Sequence, residues 1–290
     1  MKKTFVTLLL IFLAWQLSAQ ALLVENFTYN QGSALSANGW TAHSGVGTNP
    51  ILVGEGLNFT GFTGSGIGGA AYVVNNGEDV HRTFQEVTSG VVYVAFMVQT
   101  QPTNFSGYFL HLGQTTLGTT FFTRIWVNAS GDGLGIGTSA PTTFVPIVPN
   151  TTSLVVAKLD IASKVSSLFV FSTMPTQEPG QASASFTETA NFTNVGAIAL
   201  RQFNADQKII VDGIRIATNW ADATGTSQNP NVPNLTVSPA ALQGFQYVAG
   251  SGPSSSQTYT ITAENLTGAG NISIAAVSYT HLTLPTNREV

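Results

Sequence analysis

The sequence offers few groups that could do acid–base, nucleophilic or metal chemistry: four His, ten Lys and Arg, fourteen Asp and Glu, and no Cys. Nucleophilic hydrolysis needs a Ser or Cys beside a His that an acid orients. The chain has no G-x-S-x-G elbow, and Ser is too common for any one to stand out. His43, His81 and His111 lack the spacing of a zinc-binding helix. Glycoside cleavage usually needs two carboxylates flanking the sugar bond. No strand pattern carries an E-x-D-x-x-E arrangement, and the adjacent Glu78 and Asp79 would point to opposite faces of a strand. Gly64-Ser65-Gly66-Ile67-Gly68-Gly69 fits G-x-G-x-x-G, but a dinucleotide site needs a helix at the last glycine. Ala70–Val74 reads instead as a strand, so this is a Gly-rich loop. No catalytic residue is assigned, and His81, following Glu78-Asp79 in a turn, is expected to be solvated.

Two patterns remain. In Phe121–Asn128, alternation sends Phe121, Ile125 and Val127 to the core and Phe122, Arg124, Trp126 and Asn128 to the opposite face. An aromatic ring and an Arg together on an exposed sheet face could bind a sugar; a covered second face with Arg124 in a salt bridge is the alternative. His111, alternating with Phe109, lies on the same type of face as Trp126, unless it is simply a hydrogen-bonded sheet histidine. The candidate ligand-binding residues are therefore His111, Arg124 and Trp126. The second pattern is Ile210, Asp212, Ile214 and Ile216 on one face. A carboxylate buried among three Ile is costly without partners. Either a bulge turns Asp212 outward, or it is held by calcium or by hydrogen bonds from a neighbouring loop.

Strands must position these groups. Strand signals run over 22–27, 51–59, 70–74, 91–99, 108–112, 121–128, 134–137, 154–160, 165–171, 197–200 and 208–217, punctuated by Gly, Pro, Asn and Ser. Nowhere do apolar residues hold a helical period for three turns. The pattern predicts an all-β, two-sheet antiparallel sandwich over 22–224. Val91–Val98, nearly all apolar, reads as a central strand covered on both faces. Residues 225–233 read as a linker. From Asn234 a second strand pattern begins, through Gln257–Thr262 and Asn271–Ile274. It is too short for a complete Ig-like sandwich, which takes about 100 residues.

The chain is 43% apolar and 8% charged, with a formal net charge of −4. No basic patch supports binding to nucleic acid or anionic lipid. The lack of Cys excludes disulfides, thiolate metal sites and lipid attachment through a cysteine. Residues 1–21 read as a signal peptide: Lys2 and Lys3, the apolar core Phe5–Trp15, then Ala19-Gln20-Ala21. No other run could span a bilayer. A secreted or cell-surface protein is expected, with no membrane insertion after signal cleavage.

"LLVENFTY" with Gly39-Trp40 at one end, and "AIALR" and "VDGIRIATNW" at the other, resemble the laminin-G-like, concanavalin-A-like jelly rolls of Bacteroidota surface proteins. The resemblance covers Leu22 to about Thr224. It implies a concave sheet that binds glycans and a structural Ca²⁺ joining the first and last strands, with Glu25 and Asp212 as ligands. Residues 234–276 resemble the opening of an Ig-like repeat found in proteins exported by the type IX system. Such proteins end in a sorting domain, so further C-terminal domains are expected. The last stretch, "VSYTHLTLPTNREV" (277–290), resembles one translated frame of a transposase-type sequencing adapter, and is expected to be foreign to the protein.

The functional expectation is a non-catalytic module binding a polysaccharide or surface glycan, or mediating adhesion. A polysaccharide hydrolase or lyase with an unfamiliar site, and a passive spacer in a larger protein, are the alternatives.

Overall fold

The computed structural model describes residues 21–226 except 104, together with 234–238, 247–248, 250, 252–253 and 255–264. Of the signal peptide expected at 1–21 all but Ala21, the strand expected at 271–274 and the adapter-like tail lie outside the described residues. The chain divides into two compact units, 1–228 and 229–290. In the second, Asn234–Ser238 pairs with Thr260–Glu264, and Tyr247–Val248 with Gly252–Pro253.

The first unit is built from β1 (Leu23–Glu25), β2 (Thr41–Ser44), β3 (Leu52–Glu55), β4 (Gly69–Val73), β5 (Asp79–Val87), β6 (Val91–Thr100), β7 (Gly107–Gly113) and β8 (Phe121–Val127). It continues with β9 (Gly133–Ile136), β10 (Val145–Pro146), β11 (Ser153–Asp160), β12 (Val165–Phe171), β13 (Ala184–Thr187), β14 (Val195–Leu200) and β15 (Ile209–Ala217), then a short helix α1 (Trp220–Thr224). Sheet one runs β13-β12-β11-β6-β15-β4-β3, with β1 also on β15, and sheet two runs β10-β9-β8-β7-β14-β5-β2. Neighbours in both are antiparallel. The first unit is the all-β, two-sheet antiparallel sandwich that the strand pattern predicts, in keeping with the jelly roll that the resemblance implies.

Side chains from both sheets fill the space between them, including Val94, Phe96 and Val98 of β6, Phe109 of β7, Phe122 and Ile125 of β8 and Ile198 of β14. A second apolar cluster covers the outer side of sheet one. There Leu57, Phe59 and Phe62 from a loop, with Trp220 and Ala223 of α1, roof over Tyr93, Ala95 and Met97 of β6. This is why β6 is apolar on both faces, as its sequence predicts. Sheet two carries no such roof among these residues, and its outer side holds the polar and aromatic groups described next.

Three local departures from simple alternation matter. In β15, Gly213 takes φ +61, and the β15–β6 register shifts between Asp212 and Arg215. Ile209 and Val211 face the inter-sheet core before this bulge, and Ile214 and Ile216 after it, while Ile210 belongs to the outer cluster. The expected common face of Ile210, Asp212, Ile214 and Ile216 is therefore broken. In β8, Thr123 takes φ +53, and the β7–β8 register jumps from Leu110↔Ile125 to Leu112↔Phe122. Phe122 turns inward to stack on Phe192, with 4.2 Å between ring centroids, and Phe121 is left on the outer side. This reverses the expected placement of the two phenylalanines. In β7, a further register shift between Tyr108 and Leu110 keeps Phe109 in the core while His111 faces out.

Candidate functional site

Five strands of sheet two bring one set of side chains together on its outer side: His43 (β2), His81 (β5), Arg201 (just after β14), Tyr108 and His111 (β7), and Phe121, Arg124 and Trp126 (β8). Registers explain the grouping. His81 and His111 both oppose Ala199 of β14, and Tyr108 opposes Trp126. The ring of His111 lies 4.1 Å from Phe121 and 5.9 Å from Tyr108, centroid to centroid, and Tyr108 lies 5.3 Å from Trp126. His43 is 5.1 Å from His81 and 6.4 Å from His111.

The three residues singled out in the sequence thus meet in one patch, but on different terms. His111 is only 1% exposed and sits beneath its neighbours. Its Nδ1 lies 3.2 Å from the Leu112 carbonyl. Trp126 and Arg124 are half-buried. Trp126 Nε1 donates to the Gly137 carbonyl at 2.7 Å, and Arg124 Nη1 to the Thr138 carbonyl at 2.6 Å. The β9–β10 loop thereby fixes both polar ends. The guanidinium of Arg124 also lies 4.9 Å from the Tyr108 centroid. No carboxylate pairs with it among the described residues, so the salt bridge considered from sequence does not form.

Tyr108, Phe121, His43, His81 and Arg201 were not anticipated. His81 lies within β5, not in a solvated turn, and its Nδ1 is 3.3 Å from His43 Nδ1. Strand β5 escaped the sequence reading because one of its inward positions, between Val80 and Phe84, is Arg82. That charge is neutralised across the sandwich by Glu25. Arg201 carried a usable signal: alternation along Ala197, Ala199 and Arg201 places it on the outer side.

Burial keeps the imidazoles neutral. It lowers His111 to about 3, helped by the nearby charges of Arg124 and Arg201 and by competition with His43 for a proton. It lowers His43 to about 4, aided by His81, and lowers His81 as well. A separate hollow of about 670 Å³, lined among others by Phe59, Gln99, Asn150 and Met174, has only neutral side chains in its walls. It offers no acid–base chemistry.

The two residues that the resemblance implies as calcium ligands have different partners. Glu25 faces the inter-sheet space. Its Oε1 accepts from the Phe27 N–H at 2.7 Å, and its Oε2 accepts from Tyr29 Oη at 2.9 Å, from Trp40 Nε1 at 3.0 Å and from Arg82. Asp212 turns to the loop side, where Oδ2 accepts from the Leu57 N–H at 2.7 Å and Oδ1 from the Gly213 N–H at 2.6 Å. Both sequence alternatives for Asp212, a bulge and loop hydrogen bonds, therefore occur together. Burial nonetheless raises its carboxyl to about 7, with Glu25 adding to the rise. Around Asp212 oxygens crowd: a Cβ on Gly56 would lie 2.8 Å from the Gly68 carbonyl and 3.4 Å from Asp212 Oδ2, and one on Gly68 would lie 2.1 Å from the Asn26 carbonyl. Asn26 Oδ1 is buried without a partner. Carboxylate and carbonyl oxygens of this kind suit a hard cation, and Asp212 with the Gly68 carbonyl, both close to Gly56, could contribute to holding it. The Glu25 side chain, committed to Arg82, does not join them. Among the described residues no three His, Cys, Asp or Glu form a metal-binding group, so such a site would rest largely on main-chain oxygens.

No family model matches the sequence, and no curated protein is significantly similar to it. Solved structures match at low similarity. A sialidase is 14% identical with a TM-score of 0.46, over 71% of this chain and 19% of its own. The globular domain of T. cruzi calreticulin is 9% identical with a TM-score of 0.48, over 72% and 92%. A glycoside hydrolase family 131 catalytic domain from Coprinopsis cinerea is 13% identical with a TM-score of 0.41, over 68% and 94%. This chain thus spans about a fifth of the length of the sialidase it resembles.

Proposed function

We propose that the first unit is a non-catalytic carbohydrate-binding module of an exported protein, with sheet two's outer side as its binding face. The observation that carries this is the Tyr108–Trp126 pair, 5.3 Å apart on an unroofed sheet, with Phe121 beside it. Half-buried rings, with Trp126 fixed at its polar end, present flat apolar surface at little entropic cost. Sugar rings have matching C–H faces, and their hydroxyls can use the guanidinium donors of the same patch. The charge-poor composition and the signal-like N-terminus support an extracellular setting. We further propose that Asp212, with carbonyls of the adjoining loops, holds a structural calcium ion.

Affinity electrophoresis through gels containing different polysaccharides tests the binding reading. Wild-type protein should be retarded by at least one of them. Trp126→Ala and Tyr108→Ala, each verified as folded, should weaken that binding about tenfold or more, as loss of a central aromatic contact does. Folded wild-type protein that no polysaccharide retards would end the proposal.

A further inference from the structure

We infer that the ligand of this face is an acidic polysaccharide, one whose sugars carry carboxylate or sulfate groups. This rests on the carbohydrate-binding reading above and narrows it. The chain is poor in cations and its net charge is −4. Two of those cations are neutralised within the fold, Arg82 by Glu25 and Lys158 by Glu178. On the outer side of sheet two, by contrast, Arg124 and Arg201 converge on one ring, and neither is ion-paired to an acid among the described residues. Their guanidinium carbons lie 4.9 and 4.3 Å from the Tyr108 centroid.

Arg201 is the more available of the two. Its guanidinium stacks 3.9 Å from the centroid of Phe203, a ring 50% exposed, and has no hydrogen-bond or ion-pair partner among the described residues. Stacking fixes the plane of the group while leaving its N–H donors open, which is the arrangement that receives an oxyanion in two parallel hydrogen bonds. Arg124 spends one donor on Thr138, and its buried Nε has no partner at all. The acid nearest in effect is Asp79. It feels the charge of Arg201 but does not pair with it, and its Oδ1 accepts from the Gln202 N–H at 2.8 Å. Burial raises Asp79 to about 6, so at neutral pH it is still mostly a carboxylate, but one bound to the main chain and not to the guanidinium. The positive field also reaches His111, whose lowering owes part to both arginines. A neutral glycan would use the rings and leave this field unanswered. An anionic sugar stacked on Tyr108 or Trp126 would meet both cations.

The test uses the whole chain and four probes: polygalacturonate for carboxylates, a sulfated galactan for sulfates, a neutral β-glucan, and duplex DNA as a non-sugar polyanion. At low salt, one or both acidic polysaccharides should bind at least about tenfold more tightly than the neutral one, and added salt should erase the preference. Arg201→Gln should lose on the order of tenfold for the acidic ligand, the worth of one charge-assisted contact. It should weaken any neutral binding clearly less than acidic binding, whereas Trp126→Ala weakens both alike. Arg215→Gln is the control, since that side chain donates to the Thr63 carbonyl on sheet one. Neutral and acidic glycans bound equally, with Arg201→Gln silent, would overturn the inference while the binding face stands. DNA bound as tightly as the acidic glycans would overturn it in favour of generic polyanion attraction. No glycan bound at all would remove both readings.

Discussion

Glu188, remote from any ligand, should control the binding face. It follows β13 on sheet one, is 3% exposed, and reaches across to sheet two. Its Oε1 accepts from the Thr123 N–H at 2.8 Å and from Ser166 Oγ at 2.7 Å, and its Oε2 accepts from Thr138 Oγ1 at 2.9 Å. Thr123 is the residue of the β8 bulge with φ +53, a strained conformation costing about 1–3 kcal/mol for a non-glycine residue. Thr138 supplies the carbonyl that holds Arg124. Glu188 therefore stabilises both the bulge that presents Phe121 and Arg124 and the loop that anchors Arg124. Replacing it with Ala strands a buried N–H, at about 1–3 kcal/mol, and removes two hydroxyl contacts to a charged acceptor. A destabilisation of about 3–5 kcal/mol is expected once the relieved desolvation of the carboxylate is discounted. Glu188→Gln keeps one acceptor for Thr123 and loses the one facing Thr138, for about 1–2 kcal/mol. Urea unfolding measures the stability change, and titration calorimetry with the retained polysaccharide measures binding. The glutamine variant should keep its circular dichroism and lose about tenfold in affinity, comparable to one misplaced charged contact. Unchanged affinity in a measurably destabilised Glu188→Gln protein would refute the link between this carboxylate and the face.

Two further outcomes follow from the buried ionisable groups. His111 is held neutral by burial, with a folded-state value of about 3 against 6.5 in the unfolded chain. The unfolded state thus takes up a proton first, and stability falls as pH drops below 6.5, at about 1.4 kcal/mol per pH unit for this group. Asp79 and Asp212, raised to about 6 and about 7, act in the opposite sense between 3.8 and those values. The comparison that isolates the histidine is therefore wild type against His111→Asn. The variant's stability should decline less between pH 6.5 and 4 in urea titrations, and parallel curves would contradict it. For the metal, calcium at a hundredfold above its dissociation constant should raise the thermal midpoint of wild type by roughly 5–10 °C over chelator-treated protein. Asp212→Asn should abolish that difference, and identical wild-type midpoints with and without chelator would remove the calcium proposal.

The sequence revealed the architecture because most strands keep strict alternation or, like β6, are apolar throughout. It revealed part of the face for the same reason: Arg124 and Trp126 alternate cleanly at the end of β8. What it hid lies where alternation fails. The bulge at Thr123 exchanges Phe121 and Phe122, and the shift before Leu110 separates Tyr108 from its apparent phase. Neither position is a glycine, so nothing in the residue types marks them. The strain is sustained by a carboxylate far along the chain at Glu188. Strand β5 was invisible because Arg82 points inward, which makes sense only once Glu25, many residues earlier, is known to lie opposite. The two supposed calcium ligands looked alike for the opposite reason. Both are acids in apolar strands, and only the bulge at Gly213 turns Asp212 to the loop side while Glu25 remains between the sheets.

The order in which strands are made is not the order in which the sandwich can close. Strand β15 bonds to β6, β4 and β1, and β14 joins β7 to β5, yet these two are the last strands of the unit. Each is the keystone of its own sheet. A chain emerging from the N-terminus holds β1 with no strand to lie against until residue 216 arrives, and two halves of sheet two with nothing between them. Local hairpins such as β11–β12 can form early, but neither sheet can be completed. The unit should therefore remain a loose thread for almost the whole of its synthesis and then close in one late step. A chain cut before Val195 should not leave a smaller stable sandwich behind.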